Sequence, residues 1–371
     1  MKLVEIIEYL EIIAPLSYQE EYDNSGLLVG DLSMDVNSVL TCLDCTEEII
    51  DEAIKKNCNL IISHHPVIFY HLKKINNSNA TERVIFKSIQ NNIAIYCMHT
   101  NLDNIENGVS FTLSKKLDLL NTEILKVKES NLCKLITYCP NSHQNKLEQA
   151  LFEAGAGRVG SKYDQCSFSS LGQGSFRPLS KAKPYIGEKN KRSLEEEVKI
   201  ELIFPSHLES KVLKSLFQNH PYEEVAYQII NIKNSDNTIG AGVIGDLKNK
   251  MTVSSFFNLL NEVMPHDVLK YTACNLNKTI KKIAFCGGSG YFLLGKAISK
   301  KADIYISSDF KYHNFFEADN KIIIVDIGHY ETEQFVPNLI SDILKKKFPK
   351  LAIILTQINT NPVSYYKNYG N

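Results

Sequence analysis

The sequence predicts an α/β fold: two similar α/β lobes with mostly parallel or mixed sheets, plus an inserted ferredoxin-like α+β domain. Three observations carry this. Short apolar runs alternate with amphipathic helical stretches in both outer parts of the chain, the order of a largely parallel sheet. Between about residues 127 and 234 the order changes to strand–helix–strand twice, a split βαβ pattern. The apolar runs of the outer parts end in ionisable residues, at the strand edge where open α/β sheets place ligands. The expected domains are residues 1–126 as a first lobe, 127–234 as an insertion and 235–371 as a second lobe.

Residues 3–13 carry apolar side chains at helical spacing, and Pro15 ends that helix. The stretch from Tyr22 to Gly30 reads as a polar turn feeding a short strand. Val39 to Cys45 reads as a strand, and Thr46 with Glu47 and Glu48 opens a helix to about Lys56. Leu60–Ser63 is a buried strand closed by His64, His65 and Pro66, the proline driving His65 toward extended geometry. Residues 81–92 are helical. The run from Ile93 to Met98 is another buried strand, ending in His99-Thr100-Asn101-Leu102-Asp103. Residues 105–121 read as a helical segment.

In the insertion, strands are expected at 134–140, from Cys166, at 197–204 and at 221–230, with helices at 143–154 and 208–218. In the last part, Gly240 to Asp246 reads as a glycine-rich segment before a helix at 252–264. Strands follow at 282–286, 303–307 and 321–326, with a final helix from about Thr332 to Lys347. Leu351–Leu355 is expected to close the second lobe as a strand. Gly287-Gly288-Ser289-Gly290 reads as a strand-to-helix turn whose N–H groups also suit an anion, although no Walker lysine follows.

Composition excludes several classes. The chain has 371 residues, a formal net charge of −1, 44% hydrophobic and 22% charged residues, so no global field favours nucleic acid or an anionic membrane. No apolar run nears the roughly eighteen residues of a membrane span. The N-terminus, broken by Glu5, Glu8 and Glu11, is an amphipathic helix and not a signal peptide. Nine scattered cysteines, with Cys42 and Cys45 forming a single C-x-x-C in a strand-like run, read as buried free thiols of a reducing compartment, which places the protein in the cytoplasm.

The chemistry gathers at the strand ends: His64, His65, Asp103, Asp309, His313, His329 and Glu333. Mixed imidazole and carboxylate donors suit zinc, iron, manganese or nickel, and not calcium or a thiolate cluster. Two metals about 3.5–4 Å apart need a bridging carboxylate, for which Asp103 or Glu333 qualifies. His329 and Glu333, four apart at a helix start, face one point. Asp44 ends another strand and reads either as a support for a ligand or as a helix cap.

Ser63-His64-His65-Pro66, the segment His99–Asp103, Ser308-Asp309-Phe310-Lys311-Tyr312-His313 and the segment Gly328–Glu333 together resemble the GTP cyclohydrolase 1 type 2 homologue family, the Nif-three-like dinuclear metal-centre proteins. Tyr22-Asp23-Asn24-Ser25-Gly26-Leu27 is similar to its N-terminal motif, with tyrosine where tryptophan is usual. The segment His220–Tyr227 is similar to the P-II/CutA-like insertion of longer bacterial members. The sequence departs from the family at Ser307-Ser308-Asp309, where Thr-Gly-Asp is frequent.

The resemblance implies a site for two divalent metal ions, zinc first, held by His64, His65, Asp103, His329 and Glu333, with Asp309 and His313 lining it. It implies a toroidal homohexamer with metals facing an internal cavity and the insertions capping its openings. The function it implies is a metal-dependent hydrolase of a small-molecule substrate, a nucleotide or a relative of one. For GTP the attack falls on guanine C8, with Asp309 or His313 as proton shuttle. The alternative is a metal-binding regulatory or scaffold protein without turnover.

Overall fold

The computed structural model describes residues 1–129, 131–160 and 162–366. The positions 367–371, assigned to the second lobe from sequence, lie outside the described residues. Two compact units form: Met1–Lys126 with the chain from Ile239 onward, and Val127–Thr238.

The first unit opens with α1 (Leu3–Ile13), which buries Leu3, Ile6, Ile7 and Leu10 at helical spacing. Then come β1 (Gly26–Val29), β2 (Ser38–Cys42), α2 (Glu47–Lys55), β3 (Leu60–Ser63), α3 (Ala80–Gln90) and β4 (Ala94–Cys97). Thr46 caps α2 by accepting from the Ile49 N–H, with Glu47 and Glu48 in the favourable first turn. Next are α4 (Thr100–Asp103), α5 (Val109–Lys116) and β5 (Leu120–Val127). Leu120, expected at a helix end, instead begins this strand. Asp118 takes a left-handed φ of 51° and stops the helix before it.

The second unit runs β6 (Leu132–Pro140), α6 (Gln144–Glu153), β7 (Phe168–Phe176), β8 (Ser193–Pro205), α7 (Glu209–Asn219), β9 (Tyr227–Ile232). Its sheet has the order β7-β8-β6-β9, with antiparallel neighbours throughout. Leu135, Leu147, Leu151, Ile200, Phe204, Val212 and Leu216 fill the core between sheet and helices. The strand expected from Pro221 starts only at Tyr227. Before it the chain turns back on itself, the Tyr222 N–H donating to His220 Nδ1 (3.1 Å) and the Tyr222 hydroxyl to Glu197 (2.7 Å).

The first unit resumes with β10 (Gly240–Thr252), α8 (Val253–Val263), β11 (Lys270–Tyr271), β12 (Thr279–Ser289), α9 (Leu294–Ser299), β13 (Ile304–Ser308), β14 (Ile323–Asp326), α10 (His329–Glu333), α11 (Val336–Lys347) and β15 (Ala352–Leu355). Three expectations are corrected here. The glycine-rich segment at Gly240 is a 13-residue strand. Gly287 to Ser289 belong to β12 and not to a turn after it. The final helix is broken, because Pro337 in the first turn of α11 lacks the N–H a continuous helix needs.

This unit holds two mixed sheets. The five-stranded one runs β1-β4-β3-β2-β15, with β4, β3, β2 and β15 parallel and β1 antiparallel at the edge. The six-stranded one runs β11-β14-β13-β12-β10-β5, with β14, β13 and β12 parallel. The two sheets exchange strands. β5, from the first segment of the chain, extends the second sheet, and β15, expected to close the second lobe, pairs with β2 in the first. Among the described residues no helix is long and apolar enough to cross a membrane.

Candidate metal centre

The carboxyl ends of both sets of parallel strands carry the ionisable residues. At the end of β3 the backbone is tightly held. The amides of His64 and His65 both donate to the Leu43 carbonyl (3.1 and 2.9 Å), and the Ser63 hydroxyl donates to the His65 carbonyl (2.8 Å). The His64 ring is fully buried, with Nδ1 hydrogen-bonded to the Met98 carbonyl at 2.7 Å. A carbonyl only accepts, so Nδ1 carries a hydrogen and Nε2 is the nitrogen left facing the site. That Nε2 has no hydrogen-bond partner, and neither does the buried Asp103 Oδ1. It lies 3.7 Å from Asp103 Oδ1 and 3.8 Å from Glu333 Oε1.

The same construction recurs at the other imidazoles. His65 Nδ1 is bonded to Asp44 Oδ1 at 2.7 Å, and its Nε2 to Glu333 Oε2 at 2.9 Å. His329 Nδ1 is bonded to Asp309 Oδ2 at 2.6 Å, and its Nε2 lies 3.1 Å from Glu333 Oε2. His99 Nδ1 is bonded to Asp23 Oδ1 at 2.7 Å. In all four rings one nitrogen is tied to an oxygen that fixes the ring plane and leaves the other as the donor, the support that metal-ligating histidines ordinarily have. The rings cluster closely, with centroids 5.0 Å apart for His64–His65, 5.3 Å for His64–His99 and 5.2 Å for His65–His329. Among the described residues, two trios offer donor atoms within 4.8 Å of one another: His64, His65 and His99, and His65, His329 and Glu333.

Electrostatics agrees with a cation-binding role. Burial and the charge of Glu333 push Asp103 up to about 7. Burial also works against ionised Glu333, but the surrounding His329, His64 and His65 rings outweigh it and hold that carboxyl well below its usual range. Burial disfavours charged His65, yet bonds to Asp44 and Glu333 raise it to about 10. His329 is raised to about 11 against burial by Asp309 and Glu333. Protonated His65 and His329 thus neutralise the buried Glu333 carboxylate, the task a divalent ion performs when it displaces those protons. Donors about 2 Å from a shared ion stand somewhat over 3 Å apart, so the separations at His64 Nε2, too long for hydrogen bonds, fit a metal ligand set.

Glycine explains the close approach. Gly288 has φ +59°, and a Cβ there would collide with Glu333 Oε1. The glycine run therefore makes room for the central carboxylate. Asp309 itself takes a left-handed φ of 61°, a conformation that Asp and Asn adopt more readily than other non-glycine residues.

Of the residues expected from sequence, His64, His65, Asp103, His329 and Glu333 converge, and Asp309 stands behind His329. His313 is exposed on a 3-10 turn (Tyr312–Ala318), its ring 5.2 Å from Tyr312 and 6.3 Å from Phe316, and it is not among the residues lining the two clefts described below. Asp44 supports His65, whereas Thr46 is the helix cap. Two participants were missed, His99 and Asp23. The buried Asp23 carboxylate holds His99 and also accepts from the Thr100 N–H (3.0 Å) and the Ser25 hydroxyl (3.0 Å). The pairing of an Asp-Asn-Ser-Gly turn with a strand-end His99-Thr100 was the available signal.

A cleft of about 370 Å³ reaches the centre past Tyr22, Phe69, Phe292 and Asp103. A second, of about 440 Å³, lies beside Asp44, Asp309, Glu331 and Tyr365. His65 and His329 line both.

Fold and site together define an α/β protein with a histidine–carboxylate centre of metal-ligand character at the meeting of two sheet edges. The family model Duf34/NIF3 (NGG1p interacting factor 3) matches residues 1–362, and the chain belongs to that family. It is 37% identical over 367 residues to the GTP cyclohydrolase 1 type 2 homolog of Bacillus subtilis, covering 97% of this chain and 98% of the relative. The protein of the same name from Halalkalibacterium halodurans is 34% identical over 365 residues, with 97% and 98% covered. Among solved structures, a Bacillus cereus protein related to NIF3 superposes with a TM-score of 0.85 at 35% identity, covering 99% of each chain.

Proposed function

We propose that this protein is a metal-dependent hydrolase of a nucleotide or related small molecule, working through two divalent ions, zinc foremost. His64, His65, Asp103, His329 and Glu333 hold the ions, with His99 as a further donor. The observation that carries this reading is the convergence of unpartnered, buried His64 Nε2 and Asp103 Oδ1 on Glu333, amid rings fixed through their opposite nitrogens.

When bound, such ions supply Lewis-acid polarisation of the substrate and activation of water near neutral pH. The side chains supply the rest. Asp44, Asp23 and Asp309 orient His65, His99 and His329. Without ions, burial and the charge of Glu333 raise Asp103 to about 7, a cost that a bound cation would relieve. Of the two proton-shuttle candidates, the geometry favours Asp309, which lines a cleft with His329. The aromatic wall of Tyr22, Phe69 and Phe292 offers flat apolar surface to a planar ring.

GTP enters this reading through the name of the relatives, which points to cyclohydrolase-like chemistry. A toroidal homohexamer, a cytoplasmic location and a P-II/CutA-like character for residues 127–234 between lobes 1–126 and 235–371 belong to the same reading through the family resemblance. The compactness of Val127–Thr238 supports the division.

The test is hydrolysis of GTP and other nucleotides by the purified full chain, with and without chelator and with His64→Ala. Turnover that chelator and His64→Ala both abolish is expected. Absence of metal-dependent turnover on every nucleotide, with chelator-sensitive binding of a partner, would favour a regulatory protein instead.

A further inference from the structure

After β15 the chain continues without helix or strand as a strap whose hydrogen bonds reach the back of the metal centre. The Thr356 N–H extends the ladder to the Thr41 carbonyl (3.1 Å), and the Gln357 N–H donates to Glu52 Oε1 (3.0 Å). The Thr360 hydroxyl then donates to Asp44 Oδ2 at 2.7 Å, while Asp44 Oδ1 holds His65 Nδ1 at 2.7 Å. One residue on, the Asn361 amide donates to Glu331 Oε1 at 3.3 Å. Glu331 is a buried carboxylate on α10, the helix that carries His329 and Glu333. Asn361, Pro362, Val363 and Tyr365 also wall the 440 Å³ cleft behind His65 and His329.

We infer that Thr360 is a positioning residue for the metal centre: its hydroxyl fixes the Asp44 carboxylate that orients His65, and with Asn361 it ties that arm to the helix bearing His329 and Glu333. The inference rests on the metal-binding reading above. The physical reason lies in the torsion of an aspartate. Its terminal sp³–sp² bond is broad and roughly two-fold, so one hydrogen bond does not fix the carboxylate plane. Asp44 is about one-third exposed, so water competes for the oxygen that Thr360 occupies. A second anchor on Oδ2 removes the rotation and keeps Oδ1 on His65. Both anchors arise because β15 joins the first sheet beside β2, whose end leads into Asp44.

The test compares Thr360→Val, which keeps the shape and removes the hydroxyl, with Thr360→Ser, which keeps the hydroxyl, both in the full chain. Three quantities are measured: Zn²⁺ affinity by chelator competition, exchange of the His65 Nδ1 proton by NMR in zinc-free protein, and zinc-free melting temperature. Thr360→Val is expected to weaken Zn²⁺ binding by about tenfold, the low end for partners behind a ligand. It should also speed exchange of the His65 proton and leave melting close to the parent's. Thr360→Ser should restore affinity and protection. Parent-like affinity and exchange in Thr360→Val, or a Thr360→Ser as impaired as Thr360→Val, would overturn the inference. If the parent takes up no zinc, the metal reading fails by itself. The positioning of His65 by Thr360 is then decided by the proton exchange alone.

Discussion

At the carboxyl edge of the first sheet, His64, His65 and His99 leave the chain where no described residue from Leu60 to Pro66 or from Ala94 to Asp103 has a left-handed φ. At the edge of the second sheet, the centre depends on left-handed backbone at Gly288 (+59°), Asp309 (+61°) and Gly328 (+101°). The two also differ in burial: the His64 side chain is 0% exposed and that of His329 40%. The first edge is held by backbone hydrogen bonds and buried packing. The second reaches the same point by placing Gly288 where a Cβ would block Glu333 and Gly328 where one would meet Glu331. The first half-site is therefore held by its backbone, and the second is the half that a Cβ at Gly288 would displace.

The largest effect is expected where the halves meet. Glu333 faces His64, His65 and His329, and Glu333→Ala should cost more than the roughly 100-fold upper range for supporting residues in Zn²⁺ affinity. Isothermal titration of stripped protein checks this, and a variant that binds as the parent does would dissolve the shared centre. Gly288→Ala comes next. It adds about 1–2 kcal/mol of left-handed strain and a Cβ against Glu333 Oε1. It should lower zinc affinity strongly while His64→Ala-type loss of the first half is absent, as the separate response of the His64 and His329 ring signals in NMR would report.

A sharper comparison sets Asp44→Asn against Asp309→Asn. Both remove the negative charge behind a histidine and leave a single amide oxygen as its acceptor, with about 10–100-fold expected in metal affinity. Asp44→Asn should be the more damaging, because Asp44 also anchors Thr360, whereas the Asp309 side chain is nearly half exposed. The reverse order would contradict the view of the first half as the rigid one.

The smallest effect lies away from the centre. Glu52 is held below its usual range: burial opposes ionisation, but bonds from Lys56, Thr356 and the Gln357 N–H prevail. A carboxyl whose folded pKa is depressed contributes stability above its unfolded pKa and loses it as pH falls through the folded value. Glu52→Gln should therefore lower the melting temperature by a few degrees at neutral pH, on the order of 1 kcal/mol. The gap to the parent should close on acidification. A constant gap down to low pH would show that the ionised form contributes nothing.

Much of the centre was legible because strand ends in parallel sheets collect on one edge. Apolar runs closed by His64-His65, Asp103, Asp309 and His329 therefore imply convergence from sequence alone. What escaped was long-range or glycine-borne. Leu120 keeps helical spacing with Leu113 and Leu117, and only its place beside β10 makes it a strand. Gly242 and Gly245 look like loop residues, yet they sit in β10 because a Cβ would press on Leu293 and Phe285 or on Leu120 and Thr122. His99 was visible at a strand end, but its part depends on Asp23, 76 residues earlier. The strap bond from Thr360 to Asp44 spans 316 residues, and no local pattern announces it.

The most direct measurement is the stoichiometry of Zn²⁺ bound to chelator-stripped full-length protein, by titration with elemental analysis, for the parent and for His64→Ala and Glu333→Ala. Two tightly held ions per chain, lost or greatly weakened in both variants, is the predicted result. No tight binding by the parent, or equal binding by all three proteins, would contradict it.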